Sequence, residues 1–221
     1  MTLHAVFFDL DGTLLDTAPD LAKALNKLLQ TKNKSPLPED DIRRVVSDGA
    51  YAMLKLGFGV ERDHPDTAQL RQELLDFYLS DLSSETEYFP GLKDLLIQLS
   101  KHNIRWGIVT NKPEVYAQPL IDSFDFPSAP VCLICPENVT HRKPHPEPLE
   151  LACKIGECEP SAAIYVGDHI RDIQCGLNAG LHTIAVNYGY INEGDSAHDW
   201  QAHHVAEHGN ELWPIVRQYL N

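Results

Sequence analysis

Four apolar residues without alternation, Ala5-Val6-Phe7-Phe8, run straight into Asp9-Leu10-Asp11 and then Gly12. A strand with one wet face alternates apolar and polar residues. A run with no polar partner is buried on both faces, which calls for a parallel sheet covered by helices. Carboxylates placed at once beyond it predict a functional loop at the C-terminal end of that strand. The same pattern returns further along, with strands expected over 5–8, 104–109, 131–134, 162–166 and 182–186. Helical patterns stand between and after them, over 92–99, 114–123, 148–155, 172–179 and 211–219. Five strands alternating with helices imply an α/β fold built on a parallel sheet.

Residues 16–87 break that alternation. Leu21, Leu25, Leu28 and Leu29 recur at helical spacing after Pro19, which suits a first turn. A second helical stretch, 41–56, is interrupted at Ser47-Asp48-Gly49 and ended by Gly57-Phe58-Gly59. A third, 67–82, carries Leu70, Leu74, Phe77 and Tyr78 on one side. The block reads as an all-helical insertion, leaving 1–15 and 88–221 as the α/β core. Its leucines are expected to form the insertion's own core, and Arg43 and Arg44 to be solvated.

Charge and cysteine content narrow the partners. The 221 residues carry 18 basic and 32 acidic side chains, a formal charge of −14. No basic face is available for duplex nucleic acid, and adsorption to an anionic membrane is disfavoured. No apolar run approaches the ~18 residues that span a bilayer. The first residues lack a basic and apolar leader, so a cytoplasmic protein is expected. Five loosely spaced cysteines do not suggest a disulfide framework. Cys132, Cys135, Cys153 and Cys158 are read as buried or half-buried thiols before a zinc site. His198, His203, His204 and His208 are read as decorating an exposed loop before a metal site.

Reacting groups in open α/β sheets gather beyond the C-terminal strand ends. Those ends deliver Asp9 and Asp11, then Thr110 and Asn111, then Gly167 and Asp168, with Asp172 one helical turn on. Lys143 stands in a loop of its own, His141-Arg142-Lys143-Pro144. Asp9 and Asp11 are two apart, so in an extended segment both carboxylates face one bound group. Like charges that close need a cation, and hard oxygen ligands completed by Asp168 and Asp172 favour Mg²⁺. Gly12 permits a tight turn and close approach of backbone N–H groups to an anion. The Thr110 hydroxyl and the Lys143 ammonium suit the remaining phosphoryl oxygens, with Asn111 orienting Asp9 or the phosphate. The expected reaction is attack of Asp9 on phosphorus, giving an aspartyl phosphate, with Asp11 as general acid and then base. The partner is then a small phosphorylated metabolite.

Asp9-Leu10-Asp11-Gly12-Thr13-Leu14-Leu15-Asp16, Thr110-Asn111-Lys112, Lys143-Pro144 and Gly167-Asp168-His169-Ile170-Arg171-Asp172 follow in an order and spacing that resemble the haloacid dehalogenase-like phosphatases across essentially the whole chain. The resemblance implies a Rossmann-like core with a helical cap at 16–87. It also implies metal held by Asp9, the backbone carbonyl of Asp11, and Asp168, with Asp172 ligating directly or through water. Within the family the chain is similar to the phosphoglycolate phosphatase group and to a subgroup acting on N-acetylmuramic acid 6-phosphate in cell-wall recycling. His169 and Ser47-Asp48-Gly49 depart from the glycolate pattern and favour the sugar phosphate. These residues, with Arg171, are the substrate-side candidates. Other sugar or nucleotide monophosphates, a phosphomutase reaction and a catalytically silent binding protein are the remaining readings. Either a monomer or a homodimer is expected.

Overall fold

The computed structural model describes residues 2–220; residues 1 and 221, at the outer limits of the expected core, lie outside the described residues. The chain divides into two compact units, Met1–Leu15 with Tyr88–Asn221, and Asp16–Glu87. It opens on β1 (Ala5–Phe8) and leaves the first unit through β2 (Leu15–Asp16).

The second unit holds α1 (Ala18–Thr31), α2 (Glu39–Arg43), α3 (Ala50–Phe58) and α4 (Thr67–Ser80). The expected stripe of Leu21, Leu25, Leu28 and Leu29 is buried in α1. In α4 the buried set is Leu70, Leu74, Leu75 and Tyr78, with Leu75 in the place expected of Phe77. Phe77 is half-buried instead, its ring face covered by the Lys27 ammonium at 4.8 Å. The break between α2 and α3 falls where Ser47-Asp48-Gly49 predicts, as a 3-10 turn over Val46–Asp48 followed by Gly49 at φ +82°. Arg43 is not a solvated cation: it grips Asp16 with both guanidinium nitrogens, at 2.7 and 2.5 Å.

The chain re-enters the first unit at β3 (Glu87–Tyr88) and continues through α5 (Leu92–Lys101), β4 (Arg105–Val109), α6 (Glu114–Asp122), β5 (Leu133–Ile134), α7 (Glu147–Ile155), β6 (Ala163–Gly167), α8 (Ile170–Ala179), β7 (His182–Val186), β8 (His204–Ala206) and α9 (Leu212–Val216). Six strands pair in the order β5-β4-β1-β6-β7-β8. Every pairing is parallel. All four residues of β1 are buried, as the unalternated run requires. The sixth strand, β8, takes His204 out of the expected exposed loop, while His198, His203 and His208 are exposed as read. His204 opens it, and Ala185 pairs with Val205. Three residues with a polar end carry no apolar run, so only pairing with β7 reveals the strand.

The strand order positions the chemistry. From β1 the chain builds outward to β4 and β5, then crosses back to lay β6 on the other side of β1. The order reverses there, and open α/β sheets bind ligands beyond the carboxyl ends of the strands at such a point, here β1 and β6. Phe8 pairs with both Ile108 and Val166, so Asp9, just past β1, stands level with Val109 and Gly167 at the ends of β4 and β6.

Candidate active site

Asp9 follows directly on β1, its N–H held by the Val166 carbonyl at 2.9 Å. Its Oδ1 accepts from the Leu10 N–H at 2.7 Å and lies 2.9 Å from the Lys143 ammonium. Among the described residues, no hydrogen bond is made to Oδ2. The chain then doubles back, with the Leu14 and Leu15 N–H groups donating to the Leu10 carbonyl. Gly12 turns this loop at φ +83°, and a Cβ there would drive into Asp168 Oδ2 and the Tyr190 ring. Glycine is thus required twice, for its backbone angle and for the space it leaves. Its N–H, expected on phosphate, donates to the Leu15 carbonyl at 3.1 Å. That bond closes the loop in this structure, and Gly12 shapes the site through its backbone angle and the space it leaves.

Asp168 follows β6 and Asp172 lies in the first turn of α8. Gly167 lets the two approach, since a Cβ on it would strike the Asp172 carboxylate. Asp168 accepts from the Thr13 hydroxyl at 3.2 Å and the Tyr190 N–H at 2.8 Å. Asp172 caps its helix by accepting the His169 N–H at 3.1 Å through Oδ2, while Oδ1 lies 2.7 Å from Lys143. It thus combines the charge role expected at a helix N-terminus with a place in the acidic cluster. One ligand atom from each of Asp9, Asp168 and Asp172 falls within 4.8 Å of the others, and all three residues are buried.

Lys143 joins these groups from its own loop. Its ammonium reaches Asp9, Asp172, the Val109 carbonyl at 3.0 Å and the Tyr165 hydroxyl at 2.8 Å. Burial pulls its proton affinity down, but the Asp172 and Asp9 charges outweigh that and leave it above its ordinary value. One ammonium against three buried carboxylates leaves negative charge uncompensated if all ionise, and the charge of nearby Arg171 offsets only part of it. The carboxylates register the deficit. Burial, reinforced by the charges of Asp9 and Asp172, pushes Asp168 up to about 8. Burial also raises Asp9, against the pull of Lys143. An all-oxygen donor set short of positive charge fits a hard divalent cation.

The other predicted residues fall around this centre. The Asp11 carboxylate is outside the acidic trio, and its Oδ1 accepts from Lys112 Nζ at 2.8 Å. The Thr110 hydroxyl accepts from the Lys112 N–H at 3.1 Å, leaving its own proton to donate. Asn111, expected to orient Asp9 or phosphate, donates from Nδ2 to the Lys143 carbonyl at 3.1 Å and so anchors the lysine loop. His169 is the N-cap of α8, its Nδ1 accepting the Arg171 N–H. Arg171 lies near enough that its charge favours ionised Asp9 and Asp168. Ser47, Asp48 and Gly49 belong to the helical unit.

The model of the haloacid dehalogenase-like hydrolase family matches residues 6–186. The chain belongs to that family. This haloacid dehalogenase-like hydrolase is 40% identical over 220 residues to the N-acetylmuramic acid 6-phosphate phosphatase of Pseudomonas aeruginosa, covering 100% of this chain and 97% of the relative. It is 36% identical over 213 residues to the phosphoglycolate phosphatase of Xanthomonas campestris, covering 95% of each. The crystal structure of a predicted phosphoglycolate phosphatase from Haemophilus somnus shares the fold, with a TM-score of 0.83, 22% identity, and 98% of this chain and 99% of that one covered.

Two side chains of this hydrolase were not legible as site residues. Lys112 is nearly enclosed, at 7% side-chain exposure, against Asp11. Its place after Thr110-Asn111 was the available signal. Tyr165 is buried in the middle of β6, where it reads as a core aromatic. Its hydroxyl donates to the Val109 carbonyl at 2.7 Å and accepts from Lys143. Nothing in an apolar strand marks one tyrosine as the floor of a lysine site. The cysteines, by contrast, are as read. Cys132, Cys135 and Cys153 are buried and Cys158 is half-buried, all as free thiols. Burial raises the Cys132 and Cys135 thiols to about 12, which keeps them protonated.

Proposed function

We propose that this chain hydrolyses phosphomonoesters through an aspartyl phosphate on Asp9, with N-acetylmuramic acid 6-phosphate as its substrate. The chemical reading is carried by Asp9, a buried carboxylate steadied through Oδ1 by Lys143 and Leu10 while Oδ2 stays unbonded among the described residues. In the first step Oδ2 attacks phosphorus in line with the ester oxygen, and the bond from phosphorus to that oxygen breaks. Asp11 gives the departing alkoxide its proton. Asp11 then accepts a proton from water as the water oxygen attacks phosphorus. The bond from phosphorus to Asp9 breaks, releasing inorganic phosphate and restoring the Asp9 carboxylate and the protonated Asp11 carboxyl.

Mg²⁺ would be held by Asp9, Asp168 and the Asp11 backbone carbonyl, with Asp172 direct or through water, and would supply charge neutralisation for the phosphoryl oxygens. Lys143 holds Asp9 and Asp172 in place and adds positive charge beside the attacking group. The Thr110 hydroxyl proton serves a phosphoryl oxygen. Asn111 and Tyr165 fix the lysine from its backbone and its tip.

Support for the substrate comes from the 40% identity to the Pseudomonas enzyme along the whole chain. The second reading is 2-phosphoglycolate, supported by the 36% identity to the Xanthomonas enzyme. Comparing kcat/KM for the two esters under Mg²⁺ decides between them. We expect the sugar phosphate to be preferred; a preference above about tenfold for the glycolate, ~1.4 kcal/mol, overturns the substrate assignment. Asp9→Asn should abolish turnover while the protein stays folded by circular dichroism. Full activity in that variant overturns the chemistry.

A further inference from the structure

Outside the acidic site, the described residues hold one other group of side chains that could ligate a metal: His141, His145 and Glu147, with one ligand atom from each within 4.8 Å of the others. Glu147 Oε2 lies 3.0 Å from His141 Nδ1 and 4.0 Å from His145 Nδ1. The two imidazole rings stack at a centroid distance of 4.5 Å. We propose that His141, His145 and Glu147 form a second metal site, for a borderline divalent transition ion such as Zn²⁺, on the loop that carries Lys143.

Donor chemistry, spacing and support agree. Two imidazole nitrogens and one carboxylate oxygen suit zinc, with a water in the fourth position, whereas Mg²⁺ prefers oxygen alone. Bonds of about 2.0–2.2 Å in a tetrahedral site put ligand atoms a little over ~3 Å apart; Glu147 Oε2 and His141 Nδ1 stand at 3.0 Å already, and His145 Nδ1, at 4.0 Å, has to close in. The carboxylate is pre-set. Its Oε1 accepts the Thr140 N–H at 2.7 Å and its Oε2 the His141 N–H at 2.9 Å. Backbone donors that fix a ligating carboxylate are the usual outer support of a metal centre. The same bonds, the first of them above all, hold Glu147 ionised, down at about 2.

Both histidines must adjust to ligate. His145 Nδ1 accepts the Glu147 N–H at 3.2 Å, so its proton sits on Nε2 and binding requires this long bond to give way to the ion. His141 Nδ1 sits on the carboxylate and donates to it; binding requires that proton to leave Nδ1 while Nε2 gains one, and the ring stays neutral. Side-chain exposures of 60% for His141 and 48% for His145 leave the ion an open approach. Lys143 lies midway between the two histidines, so an ion here pins the backbone on both of its sides.

Equilibrium dialysis of the full chain against micromolar Zn²⁺, with millimolar Mg²⁺ present to occupy the acidic trio, tests the site. We expect one zinc per chain, and a cobalt(II) spectrum free of thiolate charge-transfer bands. His141→Asn and His145→Asn should each weaken zinc by at least about tenfold. Both should keep native circular dichroism and Mg²⁺-dependent turnover, which shows that they fold. Asp9→Asn should leave zinc binding unchanged. Unaltered zinc affinity in both histidine variants, loss of binding in Asp9→Asn, or no saturable binding to the wild type each overturns the proposal.

Discussion

Lys143 has three N–H donors and four oxygens within 3.0 Å of its ammonium. Such crowding holds the nitrogen to one place and makes it the fixed point around which Asp9 and Asp172 are set. Lys112 does the same for Asp11, at 2.8 Å and largely shielded from water, where an ion pair is worth more than at the open surface. In the proposed mechanism Asp11 must meet the departing oxygen within hydrogen-bond reach, so a wandering Asp11 would slow the chemical step more than it weakens binding. Lys112→Met should therefore lower kcat by roughly tenfold, at the modest end of what positioned acid–base groups contribute, with little change in KM. Lys112→Arg should recover part of the loss. Steady-state kinetics on all three proteins checks this, and a change confined to KM would count against the positioning role. Position in the sequence revealed Asp9, Asp11, Thr110, Lys143, Asp168 and Asp172 as candidates, because each stands at or just beyond a strand end or in a loop of its own. Neither the division of labour between Lys143 and Lys112 nor the floor supplied by Tyr165 was legible, since each depends on where a side-chain tip arrives after folding.

Elements followed from periodicity where their apolar pattern was long. The leucine stripe of α1 and the continuous run of β1 needed no tertiary information. Short or polar elements did not follow: β8 is paired into the sheet through backbone bonds that its own residues do not announce. Joints between elements belong to the same class. In the helical unit, Asp20 at the start of α1 is buried and accepts from the Ser84 hydroxyl at 2.8 Å, the Glu85 N–H at 3.1 Å and the Thr86 hydroxyl at 2.6 Å. It ties the segment after α4 to the first turn of α1 across 64 residues of sequence. Asp20→Ala should cost about 1.5–3 kcal/mol, because it removes a charged acceptor and strands the buried Thr86 hydroxyl. A fall in the urea midpoint measures it, and an unchanged midpoint would show the joint to be slack.

At the scale of the whole molecule, the formal charge of −14 describes the surface and says little about the centre, where what counts is three carboxylates sharing one lysine. With no cation bound, Asp168 holds its proton up to about 8, against an ordinary 3.8. The folded state therefore binds a proton that the unfolded chain has already released. The stability contributed by this raised group is present at low pH and is lost as pH rises from about 4 to about 8. On the proposed function Mg²⁺ would replace that proton, and its benefit would grow over the same range. Thermal melts in chelator and in Mg²⁺ should show a larger gain in Tm at about pH 8 than at about pH 6. Equal gains at both would mean that the trio does not carry the cation.

The chain's local chemistry alone determined a parallel α/β core, an all-helical insertion at 16–87 and acids gathered at strand ends, because apolar period and strand-end position are properties of neighbours in sequence. Tertiary structure decided the rest. It added the sixth strand, spent the Gly12 N–H inside its own loop, turned Asn111 onto the lysine backbone and set His141 and His145 against Glu147. Each of those outcomes depends on which donor meets which acceptor once the chain has closed, and no spacing along the sequence encodes that distance.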